Sequence, residues 1–254
     1  MALQLLCAYL TLVVKAERVR ITVDPARQVS GLLQGPARPR ACYVMAHGAG
    51  AGMEHPFMAG VADELSARDI ATLRYNFVYM EQGSKRPDNP KLAQLTVRAA
   101  VAQAAQLLPG VPLFAGGKSF GGRMTSQAQA ESPLKGVRGL IFLAFPLHPS
   151  GQPSTERAKH LSNVQIPMLF LQGTRDALAE LSLLESVVGQ LGPLARLKLL
   201  QDADHSFRRP ARSGGNGQAV YSELDDSIAD WISTALAQNR PITPVDSRPS
   251  AAVG

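Results

Sequence analysis

Ser119 stands at the centre of Gly117-Lys118-Ser119-Phe120-Gly121, a G-x-S-x-G pattern; Asp176 closes the run Gly173-Thr174-Arg175-Asp176; and His205 follows Gln201-Asp202-Ala203-Asp204. Each of the three answers a need of the others. A serine hydroxyl is a weak nucleophile near neutral pH, so a base must take its proton as it attacks. An imidazole does this well when a carboxylate holds its second nitrogen, fixing the tautomer and stabilising the imidazolium. Negative charge developing on an attacked carbonyl then needs backbone N–H donors. The Phe120 N–H, next after the serine, is one candidate. A second would come from the small-residue loop His47-Gly48-Ala49-Gly50, with Ala49 preferred and Gly50 the alternative.

Other residues compete for these roles. Asp202 and Asp204 lie beside His205 in sequence, but the carboxylate of such a row comes from a different strand end. Asp176 alone would also serve as an N-cap before Ala177 and Leu178. His55, His148 and His160 read as surface or loop histidines, and His47 as a structural ring bonded within its own loop. Lys118 offers a Ser–Lys pair, yet neighbours at a sharp elbow project apart. The sequence has no zinc-spaced cluster, phosphate loop or dinucleotide fingerprint, so neither a metal nor another cofactor is expected.

For the three residues to meet, the elements that carry them must end at one rim of a sheet. The apolar run Val111 to Ala115 predicts a buried strand, and Met124 to Ala130, free of Gly and Pro, continues as a helix. Strand, glycine-flanked serine and helix form a nucleophile elbow, in which Gly117 and Gly121 leave room for a turn that side chains would block. Upstream, Glu17 to Val23 alternates as a half-buried strand, with Val29 to Gln34 as its hairpin partner. Ala41 to Ala46 is wholly apolar and leads into the His47 loop; Met53 to Ser66 is helical, and Ile70 to Phe77 is the next strand. Val78 to Pro90 is a loop and a candidate wall of the substrate site.

Lys91 to Leu108 is an Ala-rich helix with two apolar rows, Leu92, Leu95, Ala99, Ala102 and Val97, Val101, Ala104, Leu108. Leu140 to Phe145 and Met168 to Gln172 are buried strands; between them the polar stretch up to Val164 lacks a core pattern and is placed over the sheet edge. A helix over Ala177 to Leu191, a strand over Ala195 to Leu200 and a helix over Gln218 to Ala237 complete the pattern. Strands alternating with helices predict an α/β fold with a mostly parallel central sheet and helices on both faces, its ligand crevice at the strand C-terminal ends. One domain over 17–239 suffices, with an N-terminal extension at 1–16 and a flexible tail at 240–254.

Composition narrows the classes. Of 254 residues 45% are hydrophobic and 18% charged, ordinary for a globular chain. Cys7 and Cys42 make no disulfide framework. Ala2 to Val14 is apolar, but no Lys or Arg precedes it and Val14-Lys15-Ala16 is a poor cleavage site, so an extension or first strand is favoured over a secretory signal and a cytoplasmic protein is expected. No apolar run is long enough to span a bilayer. The net charge of +6 is scattered, without a basic block, so no nucleic-acid partner is expected. Lys118, Arg123, Arg175 and Arg208 neighbour the crevice in sequence, which favours an anionic acyl or leaving group unless they pair with local carboxylates or face solvent.

Serine, acid, histidine is the chain order of the α/β-hydrolase arrangement. The sequence resembles the α/β-hydrolase-fold family typified by testis-expressed protein 30 and subunit 3 of the NSL chromatin-regulatory complex, and more distantly dienelactone-hydrolase-like enzymes. The resemblance rests on six blocks in order: His47 to Gly50, Arg74 to Met80, Gly116 to Arg123, Phe145 to Pro149, Gln172 to Asp176 and Asp202 to Phe207. Phe120 stands where many relatives have Met. The resemblance implies a single-domain hydrolase with the triad Ser119, Asp176 and His205, acting on a small-molecule acyl substrate. Some eukaryotic relatives are subunits of larger assemblies, so a non-catalytic scaffold is the alternative.

Overall fold

The structure, a computed structural model, describes residues 15–210 and 217–238. The expectations for Ala2 to Val14 and for the tail from 240 onward lie outside the described residues.

Eight strands form one sheet in the order β1-β2-β4-β3-β5-β6-β7-β8. The alternating sequence of β1 (Glu17–Asp24) hairpins antiparallel onto β2 (Arg27–Gln34), which pairs antiparallel with β4 (Ile70–Tyr75). From there every pairing is parallel, through β3 (Ala41–Ala46), β5 (Leu113–Lys118), β6 (Val137–Leu143), β7 (Met168–Gly173) and β8 (Ala195–Leu200). All six residues of β3 and all six of β7 are buried. Strands covered on both faces have no solvated side to give to polar residues, hence their continuous apolar runs.

Helices α1 (Pro56–Ser66) and α6 (Gly217–Gln238) cover one face, where Met58, Val61 and Leu65 meet Leu224, Ile228 and Trp231 over Phe114 and Leu169. On the other face lie α3 (Pro90–Leu107), α4 (Phe120–Glu131) and α5 (Leu181–Leu191) over Val44, Ala115 and Phe142. The connection leaving β3 returns to one side and that leaving β5 to the other, so the chain switches direction between these neighbours. A crevice opens at the carboxyl ends of strands at such a point, and it is there that the His47 loop and Ser119 lie.

Four local expectations need correction. The segment taken as a loop from Val78 to Pro90 begins with a short helix, α2 (Val78–Glu81), because Val78 and Tyr79 are buried and order it. On α3 the packed stripe is Ala93, Val97, Ala100, Val101 and Ala104 with Thr96. Of the expected row through Leu92, Leu95, Ala99 and Ala102, Leu92 and Ala99 are half-buried at the margin of the core, whereas Leu95, 38% exposed, and Ala102 face outward. Small residues allow a helix backbone to approach a sheet closely, and Thr96 joins them by returning its hydroxyl proton to the Leu92 carbonyl at 3.0 Å. The polar stretch before β7 contributes Ala158, Leu161 and Val164 to the core, through a 3-10 helix (Glu156–Asn163) packed on α4. Finally, α5 starts at Leu181, not Ala177, because the intervening turn is held by Asp176 and His148.

Candidate active site

The elbow is built from β5, Ser119 and α4. Ser119 sits at φ 49° and ψ −113°, a left-handed conformation that a residue with a side chain rarely takes. The turn closes because its glycines present no Cβ: one on Gly117 (φ +143°) would come 2.1 Å from the Ala46 carbonyl oxygen, and one on Gly121 2.5 Å from the same atom. The Ser119 N–H donates to the Leu143 carbonyl at 3.0 Å, and the first N–H groups of α4, that of Phe120 foremost, have no acceptor within the helix.

Ser119, Asp176 and His205 come together in a row. Ser119 Oγ lies 2.9 Å from His205 Nε2, and His205 Nδ1 lies 2.7 Å from Asp176 Oδ2. An ionised carboxylate only accepts, so Nδ1 carries the proton, Nε2 is the free acceptor, and the serine hydroxyl donates to it. The Asp176 side chain is 0% exposed and the His205 side chain 26%. Asp176 is oriented from two further sides, by Gln172 Nε2 at 2.5 Å on Oδ2 and by the Leu178 N–H at 2.8 Å on Oδ1. It therefore also fills the capping role its position suggested, toward a turn and not toward a helix. The competing acids are occupied elsewhere: Asp204 Oδ1 accepts from the Ser206 and Arg208 N–H groups, and Asp202 Oδ1 from Gln201. His55 caps α1, its Nδ1 accepting from the Phe57 N–H at 3.2 Å.

The second loop of the site is held by His47, bonded within its own loop as its position suggested, and by Asn76 and Tyr79, to which the sequence assigned no role. His47 is fully buried; its Nδ1 donates to the Gly48 carbonyl at 2.7 Å and its Nε2 accepts from the Phe77 N–H at 3.2 Å. Burial pushes its pKa down to about 4, only partly offset by the Gly48 carbonyl, so the ring is neutral in this role. Asn76 Oδ1 accepts from the Met53 N–H at 2.9 Å, and Tyr79 Oη accepts from the Gly50 N–H at 2.8 Å. Gly50 thus has its donor engaged, whereas the Ala49 N–H has no acceptor among the described residues. A Cβ on Gly48 would lie 3.8 Å from that of Ser119, so this loop abuts the elbow.

His148 repeats the device of His47. It is 3% exposed, places Nδ1 2.8 Å from the Pro149 carbonyl, accepts the Glu180 N–H on Nε2 at 2.9 Å, and gives its own N–H to Leu178. It pins the turn that carries Asp176; it lies in a loop, as expected, but is buried and not at the surface. His160 bonds Ser126 Oγ at 2.7 Å; because Ser126 already donates to the Arg123 carbonyl, His160 Nε2 is the donor and this pair is structural. The partners of His148 are backbone groups, which leave no mark in a sequence. Tyr79, Asn76 and His148 do fall within the blocks that carried the resemblance, and position directly after a strand end was the available signal.

None of Lys118, Arg123, Arg175 and Arg208 forms an ion pair with a carboxylate among the described residues. Nor do three or more His, Cys, Asp or Glu side chains gather there as a metal site would require. Among the described residues no helix is long and apolar enough to cross a membrane.

Solved structures share this architecture at low identity. An alpha-beta serine hydrolase homologue from Coxiella burnetii superposes with a TM-score of 0.68 at 18% identity, over 85% of this chain and 97% of its own. A dienelactone hydrolase from Anabaena variabilis gives 0.69 at 19%, over 87% and 98%. A serine hydrolase described as lacking a lid, from Xanthomonas campestris, gives 0.66 at 19%, over 91% and 97%. Residues 39–233 match the family model described as an alpha/beta hydrolase domain, and this chain belongs to that family.

Proposed function

We propose that the protein is a serine hydrolase that cleaves a carboxylic ester or a related acyl bond through an acyl-serine intermediate, in the branch typified by testis-expressed protein 30 and NSL subunit 3. The reading is carried by the unbroken row from Ser119 Oγ through the His205 ring to Asp176, at 2.9 and 2.7 Å. His205 Nε2 takes the serine proton as Oγ attacks the carbonyl carbon; Asp176 steadies the imidazolium; the same proton then passes to the leaving alkoxide. A water, deprotonated by the same ring, attacks the acyl carbon and releases the acid. The oxyanion is received by the Phe120 N–H at the head of α4 and by the Ala49 N–H, since Tyr79 already takes that of Gly50. Lys118 and Arg208, which line one cavity and make no ion pair with a carboxylate among the described residues, support preference for an anionic acyl or leaving group; Arg175 is exposed and lends it no support.

Purified protein should turn over short-chain aryl esters, and Ser119→Ala should abolish that turnover. Full-rate hydrolysis by Ser119→Ala would reject the assignment, and absence of turnover across an ester and thioester panel would favour a scaffold that keeps the fold. In matched pairs the anionic ester should react faster; faster turnover of the neutral member would remove the charge preference.

A further inference from the structure

Lys118, the last residue of β5, stands immediately before the nucleophile, yet its ammonium touches the base. Its Nζ donates to the main-chain carbonyl of His205 and stands 5.1 Å from the centroid of the Phe207 ring. Among the described residues this is the only hydrogen bond made by the His205 main chain; the rest of its loop is held at Ala203, Asp204 and Phe207. Two residues with positive φ, Asp202 (58°) and Phe207 (60°), flank His205, so the ring rides on a tight excursion of backbone. No bond joins Nζ to Ser119 Oγ, whose partner is the imidazole, so Lys118 is not placed as the serine's base.

We propose that Lys118 is a positioning residue, whose ammonium clamps the His205 main chain so that the imidazole stays aimed at Ser119 through acyl transfer. This deepens the serine-hydrolase reading and rests on it. The clamp joins the end of the nucleophile strand to the loop of the base, fixing the spacing between the two groups that exchange a proton. Misplacing a reacting group by a fraction of its contact distance is costly to rate while leaving substrate binding intact.

The ammonium is charged in a confined place. Asp176 after β7 and Asp204 after β8 attract it. On the other side it shares the wall of a cavity of about 640 Å³ with Asp63 and Glu64 of α1, His55, Arg208 and Asp225 of α6. Asp63 is engaged by Gln34 and Glu64 by Arg68, and neither forms an ion pair with Lys118. Burial lowers the Lys118 pKa to about 8, with Asp176 and Asp204 holding it from falling further. Below that pH the nitrogen is a charged donor; above it a neutral amine donates weakly to the same carbonyl. An alkaline loss of turnover near pH 8 follows.

Ester turnover and fluorophosphonate labelling of the full chain, as wild type, Lys118→Met and Lys118→Arg, from about pH 6 to about pH 10, test the clamp, with urea unfolding as a check of folding. Lys118→Met should lower kcat about 10- to 100-fold, the range expected for losing a charge-assisted hydrogen bond, with KM unchanged and the alkaline limb gone. Lys118→Arg should recover most of kcat and move the alkaline limb to higher pH. A folded Lys118→Met with wild-type kcat and wild-type alkaline limb would overturn the proposal. If Lys118→Met does not fold, coincident alkaline limbs in wild type and Lys118→Arg overturn it equally. A wild type that takes up no probe overturns the hydrolase reading, and this inference with it.

Discussion

Ser119 is held in a backbone conformation that costs about 1–3 kcal/mol for a residue with a side chain, and the surrounding ladder holds it there through the Leu143 carbonyl. Strain of this kind marks a position where geometry matters more than local stability. Two substitutions should separate the roles around it. Asp176→Asn keeps the shape but removes the carboxylate that fixes the His205 tautomer, so kcat should fall by about 10³-fold or more with little change in urea midpoint. His205→Ala should fall at least as far; near wild-type turnover in either variant would remove that residue from the chemistry. The row of serine, acid and histidine was legible in the sequence because its residue types and chain order are themselves the chemistry. The bond of His47 within its own loop was legible too, from its place among small residues; its second partner and the burial of His148 were not. Each ring works by accepting one backbone N–H and donating to one carbonyl, from Phe77 and Glu180 to Gly48 and Pro149, and such partners have no signature in residue type.

At the level of elements, the elbow and α6 make opposite demands on their residues. In the elbow, absent side chains are required: a methyl on Gly117 would penetrate the Ala46 carbonyl at 2.1 Å, between backbones that cannot withdraw. Gly117→Ala should therefore lower unfolding stability by about 3 kcal/mol or more, read as a urea midpoint; a change of under half that would mean the turn is less confined than described. In α6, Asp225 is buried with Oδ1 unpartnered, and burial raises its pKa to about 8, opposed by Arg68 and aided by Glu64 and Asp226. The folded chain therefore keeps a proton that the unfolded chain releases near pH 4, and stability falls as pH rises between these values. Asp225→Asn should raise the urea midpoint at pH 8 and leave it unchanged near pH 4. An equal effect at both would show that packing, not charge, decides. The apolar face of α6 was readable from its spacing, and so was the α3 row through Val97, Val101 and Ala104; the exposure of Leu95 was not, because the small residues Ala93 and Ala100 let the helix approach the sheet in its place.

Across the whole molecule, strand alternation dictated the parallel sheet, and the turn of the chain between β3 and β5 fixed where the site opens. What the sequence could not convey was the set of long-range closures, such as Lys118 to His205 or Tyr79 to Gly50, because these depend on how loop ends meet after folding. Titration of buried groups gives a molecule-wide expectation. His47 and His160 are each lowered to about 4 by burial, His160 further by the charge of Arg123. Between pH 4 and about 6.5 the unfolded chain binds two protons that these rings refuse, against the one that Asp225 retains, so stability climbs with pH. Above about 6.5 the Asp225 term leads and stability declines, by less than about 1.4 kcal/mol per pH unit, because toward pH 8 the lowered pKa of Lys118 acts in the opposite sense. Urea midpoints across this range should pass through a maximum near pH 6.5; a steady rise to pH 8 would contradict it.

Everything assigned to the active site depends on one oxygen reacting and its neighbours making it react. Fluorophosphonate treatment followed by peptide mass spectrometry reads that oxygen by position. The adduct should fall on Ser119 alone, be absent in Ser119→Ala, and form about 10³-fold more slowly in His205→Ala. An adduct on another serine, or labelling of Ser119→Ala at the wild-type rate, would contradict the assignment.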